Sequence, residues 1–247
     1  LVPSVTQSFG DSALASVTRA FQTGDSQKLK RTVEAVLRIT FLTALPMGVG
    51  LSVLAQPAAL LIYGARPGTV IVGRVLTALG AASVFAALCG PLNSILQAMG
   101  HVELPVVLTL IGLCVKAVLD YTLAAVPRVN VLGGAVGTLV CYALASVLAC
   151  IAIRRIAGVK IDFFSTFKKP FLASVCCGVA ALLTHKAWCA VLPESRFSAL
   201  PAVFLGALIY VVFLLIARGI CEEDIKALPN GEKITKRLEK YLHKAGG

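Results

Sequence analysis

Six runs of mostly apolar residues, separated by short polar punctuation, organise the chain: 33–54, 75–99, 104–126, 131–153, 170–192 and 200–217. A hydrocarbon core of about 30 Å takes about 20 residues of helix to cross, and each run approaches or exceeds that length. Open strands are excluded, because unpaired backbone groups in lipid cost several kcal/mol each. Barrel strands would alternate apolar and polar positions over about ten residues, and these runs do not alternate. The pattern therefore predicts an all-α integral membrane protein, a bundle of six transmembrane helices. Gly64, Arg66, Pro67 and Gly68, then Gly100, His101 and Val102, then Pro127, Arg128, Val129 and Asn130 read as tight connections between antiparallel neighbours. The polar stretches 19–32 and 154–169 read as longer loops, and 218–247 as a soluble tail. In that tail Ile234, Leu238, Tyr241 and Leu242 recur at helical spacing. The amphipathic helix they predict would lie on the membrane surface or stand in solvent.

Composition strengthens the lipid reading. The chain is 57% hydrophobic and 14% charged, with a mean hydropathy of +0.86. So few charges do not cover a water-exposed surface. Residues 1–18 begin with Leu1 and read as the end of a helix whose body precedes this sequence, so that the N-terminal half of a longer protein is the expected partner. Of the eight cysteines, seven fall inside apolar runs and none forms a C-x-x-C pair. They read as small hydrophobes, not as zinc ligands or a disulfide framework.

Charge sets the orientation. If the faces alternate along the chain, sixteen basic residues share one side, including Arg19, Lys28, Arg31, Arg154, Arg155 and most of the tail. Five lie opposite: Arg66, Arg74, Arg128, Lys186 and Arg196. Basic residues are retained in the cytoplasm, which places segment 19–32 and the C-terminus there. The net charge of +11 is then explained by basic segments against an anionic leaflet, and no nucleic-acid partner is implied.

A charge inside a span is costly and is by default a functional candidate. Lys116 and Asp120 stand four residues apart in the third span and share a helix face. They would either line an aqueous cavity or neutralise each other at a helix–helix seam. Arg38 follows Glu34 by one turn and reads chiefly as a snorkelling interfacial arginine. In the second span Pro91 should kink the helix, next to Asn93 and Gln97 on one face. Those amides would face a substrate path or hydrogen-bond between helices. Pro46, with Gly48 and Gly50, permits a bend in the first span, and Gly133 and Gly137 permit close helix contact. No phosphate loop, H-E-x-x-H or G-x-S-x-G occurs, and His101, His185 and His243 are scattered. No catalytic or metal-binding residue is predicted.

Taken in order, LVPSVTQSF, AVLRITFLTALPMGVGLSVLAQP, NSILQAMGHVELP, LIGLCVKAVLDYTLAAVPRVNVLGGAVGTLVCYALAS and EEDIKALPNGEKITKRLEKYL carry a resemblance. They resemble the polysaccharide-exporter branch, stage V sporulation protein B-like, of the multidrug/oligosaccharidyl-lipid/polysaccharide (MATE-like) transporter superfamily. The resemblance covers nearly the whole chain and implies the C-terminal part of a fourteen-helix fold, two bundles about a central cavity. Where the family commonly has a basic residue after the turn this chain has His101, and where it commonly has asparagine this chain has Asp120. The implied function is a non-enzymatic flippase in a bacterial plasma membrane. It would export a lipid-linked oligosaccharide, polysaccharide or peptidoglycan precursor by alternating access, with spore envelope formation as one setting. Lys116 and Arg38 would meet the substrate's pyrophosphate, and Asn93 and Gln97 would line its path. A cation-coupled multidrug exporter, with Asp120 as coupling carboxylate, and a non-transporting scaffold for cell-wall synthesis are the rival readings. No cofactor is expected, and coupling to a Na+ or H+ gradient stays open.

Overall fold

A computed structural model describes residues 2–64, 66–126, 130–158, 163–191 and Leu208. Seven helices follow one another: α1 (Val2–Gln22), α2 (Ser26–Val53), α3 (Ala55–Tyr63), α4 (Thr69–Ala98), α5 (Glu103–Ala124), α6 (Asn130–Ala157) and α7 (Phe163–Val191). All secondary structure among the described residues is helical. The protein is an all-α integral membrane protein. Helices α2, α4, α5 and most of α6 are long and apolar enough to cross a bilayer, and Pro170–Thr184 of α7 adds a shorter apolar stretch. The expected span 200–217, Leu208 apart, and the tail 218–247 lie outside the described residues.

The helices are longer than the apolar runs that reveal them. Segment 19–32, expected as a loop, is helix on both sides of a turn at Thr23, Gly24 and Asp25. Gly24 takes the left-handed conformation at φ 67°, and the Asp25 carboxylate accepts from the Lys28 backbone N–H at 3.0 Å, capping α2. Hydropathy marks only the part of a helix in hydrocarbon. Good helix formers such as Gln27, Lys28 and Lys30 continue it into water. The expected loop 154–169 is shortened for the same reason, with α6 running to Ala157 and α7 starting at Phe163. Helix α4 begins six residues before its predicted start at 75; its 30 residues span about 45 Å.

One break and one stop follow from single residues. Helix α2 ends at Val53 because Pro57, four residues on, offers no N–H to the Val53 carbonyl and its ring crowds that oxygen. The ladder resumes when Ala58 donates to the Leu54 carbonyl at 2.8 Å, starting the short α3. Helix α4 stops at a Schellman turn. There the His101 N–H reaches the Leu96 carbonyl at 3.1 Å, the Gly100 N–H reaches Gln97 at 2.9 Å, and Gly100 sits at φ 86°.

Four helices share one core. Val17 of α1, Leu29, Val33 and Leu37 of α2, Leu92 and Leu96 of α4 and Ile153 of α6 are all buried in it. Helix α7 packs on α2, α3 on α4, and α5 almost solely on α6. Where α2 crosses α4 the contact is backbone on backbone. A β-carbon at Gly48 would lie 2.9 Å from the Gly80 carbonyl and would collide with Val84, and the Ser52 hydroxyl donates to the Thr77 carbonyl at 3.0 Å. Gly48→Val should therefore destabilise the bundle by roughly 1–3 kcal/mol, as over-packing does. Gly50→Ala, with nothing within 4 Å of the new carbon, should leave the melting temperature in detergent nearly unchanged. Equal melting of the two variants would contradict the crossing.

Candidate functional site

Two groups of polar residues lie at helix crossings, one between α5 and α6 and one between α1 and α4. The first is Lys116 with Asp120 on α5. Lys116 Nζ lies 2.5 Å from Asp120 Oδ2, and the side chains are 28% and 35% exposed. Asp120 Oδ1 is buried and has no hydrogen-bond partner among the described residues. It rests on α6: a β-carbon at Gly137 would collide with it and would lie 3.5 Å from Lys116 Cγ. Gly133, one turn earlier on α6, faces Leu123 Cβ at 2.7 Å in the same sense. The glycine pair read from the sequence as a close-contact motif thus makes the α5–α6 seam, and the ion pair lies along that seam.

The second group lies where α1 crosses α4. Pro91 supplies no N–H to the Ala87 carbonyl, and Gly10 of α1 fits over it, a β-carbon there falling 2.7 Å from Pro91 Cα. Around this crossing three polar side chains close a ring. Gln7 Nε2 donates to Asp11 Oδ1 at 2.9 Å and to Ser94 Oγ at 3.3 Å, and Ser94 Oγ donates to Asp11 Oδ1 at 3.1 Å. Asn93 beside them is half-buried, and Gln97 one turn on is exposed. Gln97 lines a groove of about 400 Å³ together with Leu14, Thr18, Phe21, Gln22 and Met99.

Of the residues expected from the sequence, Pro91 lies against Gly10 at this α1–α4 crossing and Gln97 lines the groove beside it, while Asn93 is half-buried on the same helix. Lys116 and Asp120 pair with each other on α5, away from that crossing. Arg38 is half-buried on α2, where Lys30 holds Glu34 at 3.8 Å. Pro46 lies inside α2 with the chain helical through it. Gln7, Asp11 and Ser94 were missed. The available signal was the spacing of Gln7 and Asp11, four residues apart on a segment read only as a helix end. Among the described residues no group of three or more His, Cys, Asp or Glu side chains could hold a metal ion.

Residues 6–210 match the sequence model of a family described as lipid II flippase MurJ. An uncharacterized membrane protein of Bacillus subtilis (strain 168), YabM, is 21% identical over 251 residues, covering 97% of this chain and 44% of that protein. Stage V sporulation protein B of the same organism is 23% identical over 231 residues, covering 91% of this chain and 42% of that protein. The chain therefore spans less than half the length of these relatives. With most of its length inside the family match, this multi-pass bacterial membrane protein belongs to the lipid II flippase MurJ family.

Proposed function

We propose that the chain forms one of two helical bundles of a flippase in a bacterial plasma membrane. The flippase moves a lipid-linked oligosaccharide, polysaccharide or peptidoglycan precursor by alternating access. The family match over residues 6–210 carries this reading, and the α1–α4 crossing supports it. A helix that loses one backbone hydrogen bond at Pro91, beside a hydrogen-bonding cluster, is the kind of element on which one bundle rocks against another. The missing partner in this proposal is the N-terminal half of the same protein. The relative named for sporulation makes spore envelope formation one setting in which to look. The cycle makes and breaks no covalent bond and needs no cofactor. Asn93 and Gln97 line the path in this reading, with Arg38 nearer its basic end.

Two further placements belong to the proposal. Basic side chains from separate segments gather at one end of the bundle: exposed Arg19, Lys28 and Arg31 at the α1–α2 turn, Arg154 and Arg155 at the end of α6. Val17, Leu29 and Ile153 of the same segments share the core just inside that end, while Arg66 and Arg74 sit toward the other. This supports a cytoplasmic α1–α2 turn and C-terminus. A Na+ or H+ gradient remains the proposed drive. Asp120 is disfavoured as its coupling site because the Lys116 ammonium already holds it. That pairing favours a packing role at the α5–α6 seam over contact with the pyrophosphate.

Three measurements test these placements. The full-length protein in proteoliposomes should speed the exchange between leaflets of a fluorescent lipid-linked pyrophosphoryl glycan; a rate equal to that of empty liposomes contradicts the flippase reading. In whole cells a cysteine at Gln27 should react with an impermeant thiol reagent only after permeabilisation, and one at Arg66 before it. The reverse order would invert the topology. Asp120→Ala should lower thermal stability by about 1 kcal/mol, leaving a lone lysine among helices, whereas Lys116→Leu with Asp120→Leu should restore it. Wild-type stability but lost transport in Asp120→Ala would place the pair on the substrate path instead.

A further inference from the structure

The exposed faces of this bundle differ in kind. On α5 the exposed side chains through the body of the helix are apolar: Val106, Val107, Leu110, Leu113 and Val118, with Tyr121 84% exposed. Even the exposed Thr122 turns its hydroxyl onto the Val118 carbonyl at 3.0 Å. Exposed positions on α7, Phe171, Leu172, Val179 and Leu183, are apolar as well. Those faces suit hydrocarbon. Helix α1 is the reverse. Its buried positions Gly10, Val17 and Ala20 pack against the bundle, while Ser4, Gln7, Ser8, Asp11 and Gln22 are exposed and Thr18 is half-exposed. At 100° per residue these six lie within one arc of about 100°, a mostly polar stripe along the helix that exposed Ala15, with Leu14 at its edge, interrupts between Asp11 and Thr18. Exposed amides and a carboxylate do not face lipid tails. The stripe needs water, protein or a polar ligand.

The chemistry of the stripe is selective. From Val2 to Thr18 it holds hydroxyls, an amide and one carboxylate, and no cation. Asp11 is oriented by two neutral donors, the Gln7 amide and the Ser94 hydroxyl. Its carboxylate retains acceptor capacity, and a groove in which Thr18, Gln22 and Gln97 lie among Leu14, Phe21 and Met99 adjoins the same face. Such a wall repels a pyrophosphate. It accepts hydrogen bonds from sugar hydroxyls and acetamido N–H groups, which a carboxylate binds more strongly than a neutral oxygen does. The first cation, Arg19, comes only at the basic end of the helix.

We infer that the exposed stripe of α1, with Ser94 and Gln97 of α4, is a glycan-contacting wall of the transport path, and that Asp11 is its anchoring acceptor. The substrate part it takes is the uncharged or amide-bearing sugar, not the pyrophosphate or the prenyl chain. This rests on the flippase reading above. The test uses the full-length protein in membranes, with Ser8→Cys on the stripe and Leu110→Cys on α5, each read above the labelling of the parent's own cysteines. An impermeant thiol reagent should modify Ser8→Cys and leave Leu110→Cys unmodified. A pyrophosphoryl polyprenol carrying an N-acetylated disaccharide should slow the Ser8→Cys reaction several-fold, and bare polyprenyl pyrophosphate should not. Asp11→Asn should raise the lipid concentration needed for that protection roughly tenfold while Ser8→Cys stays reactive. An unreactive Ser8→Cys overturns the proposal, since another part of the protein would then cover the stripe. Equal protection by both lipids also overturns it but leaves the flippase reading standing. No protection by either overturns it too, and the leaflet-exchange assay then decides separately whether the flippase reading falls.

Discussion

Hydrocarbon offers no partner to a polar group, and every level of this structure answers to that. Each backbone N–H and C=O inside the membrane must find its partner within the chain, which leaves helices as the form these runs can take. The exceptions are local and have single causes. Pro57 ends α2 at Val53, and Pro91 leaves the Ala87 carbonyl of α4 without its usual donor. At the second of these, Gly10 of α1 lies against the broken turn and a ring of polar side chains surrounds it. The fold places its one polar cluster among the described residues of α1 and α4 at a break in its ladder.

The same constraint separates the carboxylate of α5 from that of α1. Lys116 pairs with Asp120 through Oδ2, and both side chains lie against α6 at Gly137, so their charges offset each other at a seam. Asp11 instead accepts from neutral donors on an exposed face. Pairing removes a carboxylate from chemistry with a ligand, whereas neutral support orients it and leaves its charge in place. This difference, more than the presence of a charge, separates a packing element from a binding one.

The all-helical membrane architecture was legible because length and hydropathy mark it: five of the six expected spans overlap helices, of which α2, α4, α5 and most of α6 are long and apolar enough to cross a bilayer, while the sixth, Leu208 apart, lies outside the described residues. Helix ends were less legible, since the signal stops at the edge of the hydrocarbon while hydrogen bonding continues through residues such as Lys28 and Arg154. The α2–α3 break was readable from Pro57 but hidden inside a hydrophobic run. In the candidate site, Pro91, Asn93 and Gln97 were visible because polar residues stand out in an apolar helix. Asp11 was not, because α1 mixes serine, threonine and glutamine with its apolar residues, so no single polar residue stands out. Only the packing of Gly10, Val17 and Ala20 tells which face of α1 is covered.

The central claim is that α1 faces a polar path while α5 faces lipid. Spin labels placed singly along α1 from Ser4 to Gln22 and along α5 from Val106 to Tyr121, in the full-length protein in bilayers, measure this directly through collisions with a water-soluble nickel chelate and with oxygen. Along α1, collisions with the chelate should peak at helical spacing on Ser4, Ser8, Asp11 and Thr18. Along α5, oxygen should dominate at Val106, Leu110 and Val118. Oxygen-dominated collisions on the polar stripe of α1, or chelate access to the apolar face of α5, would contradict the account.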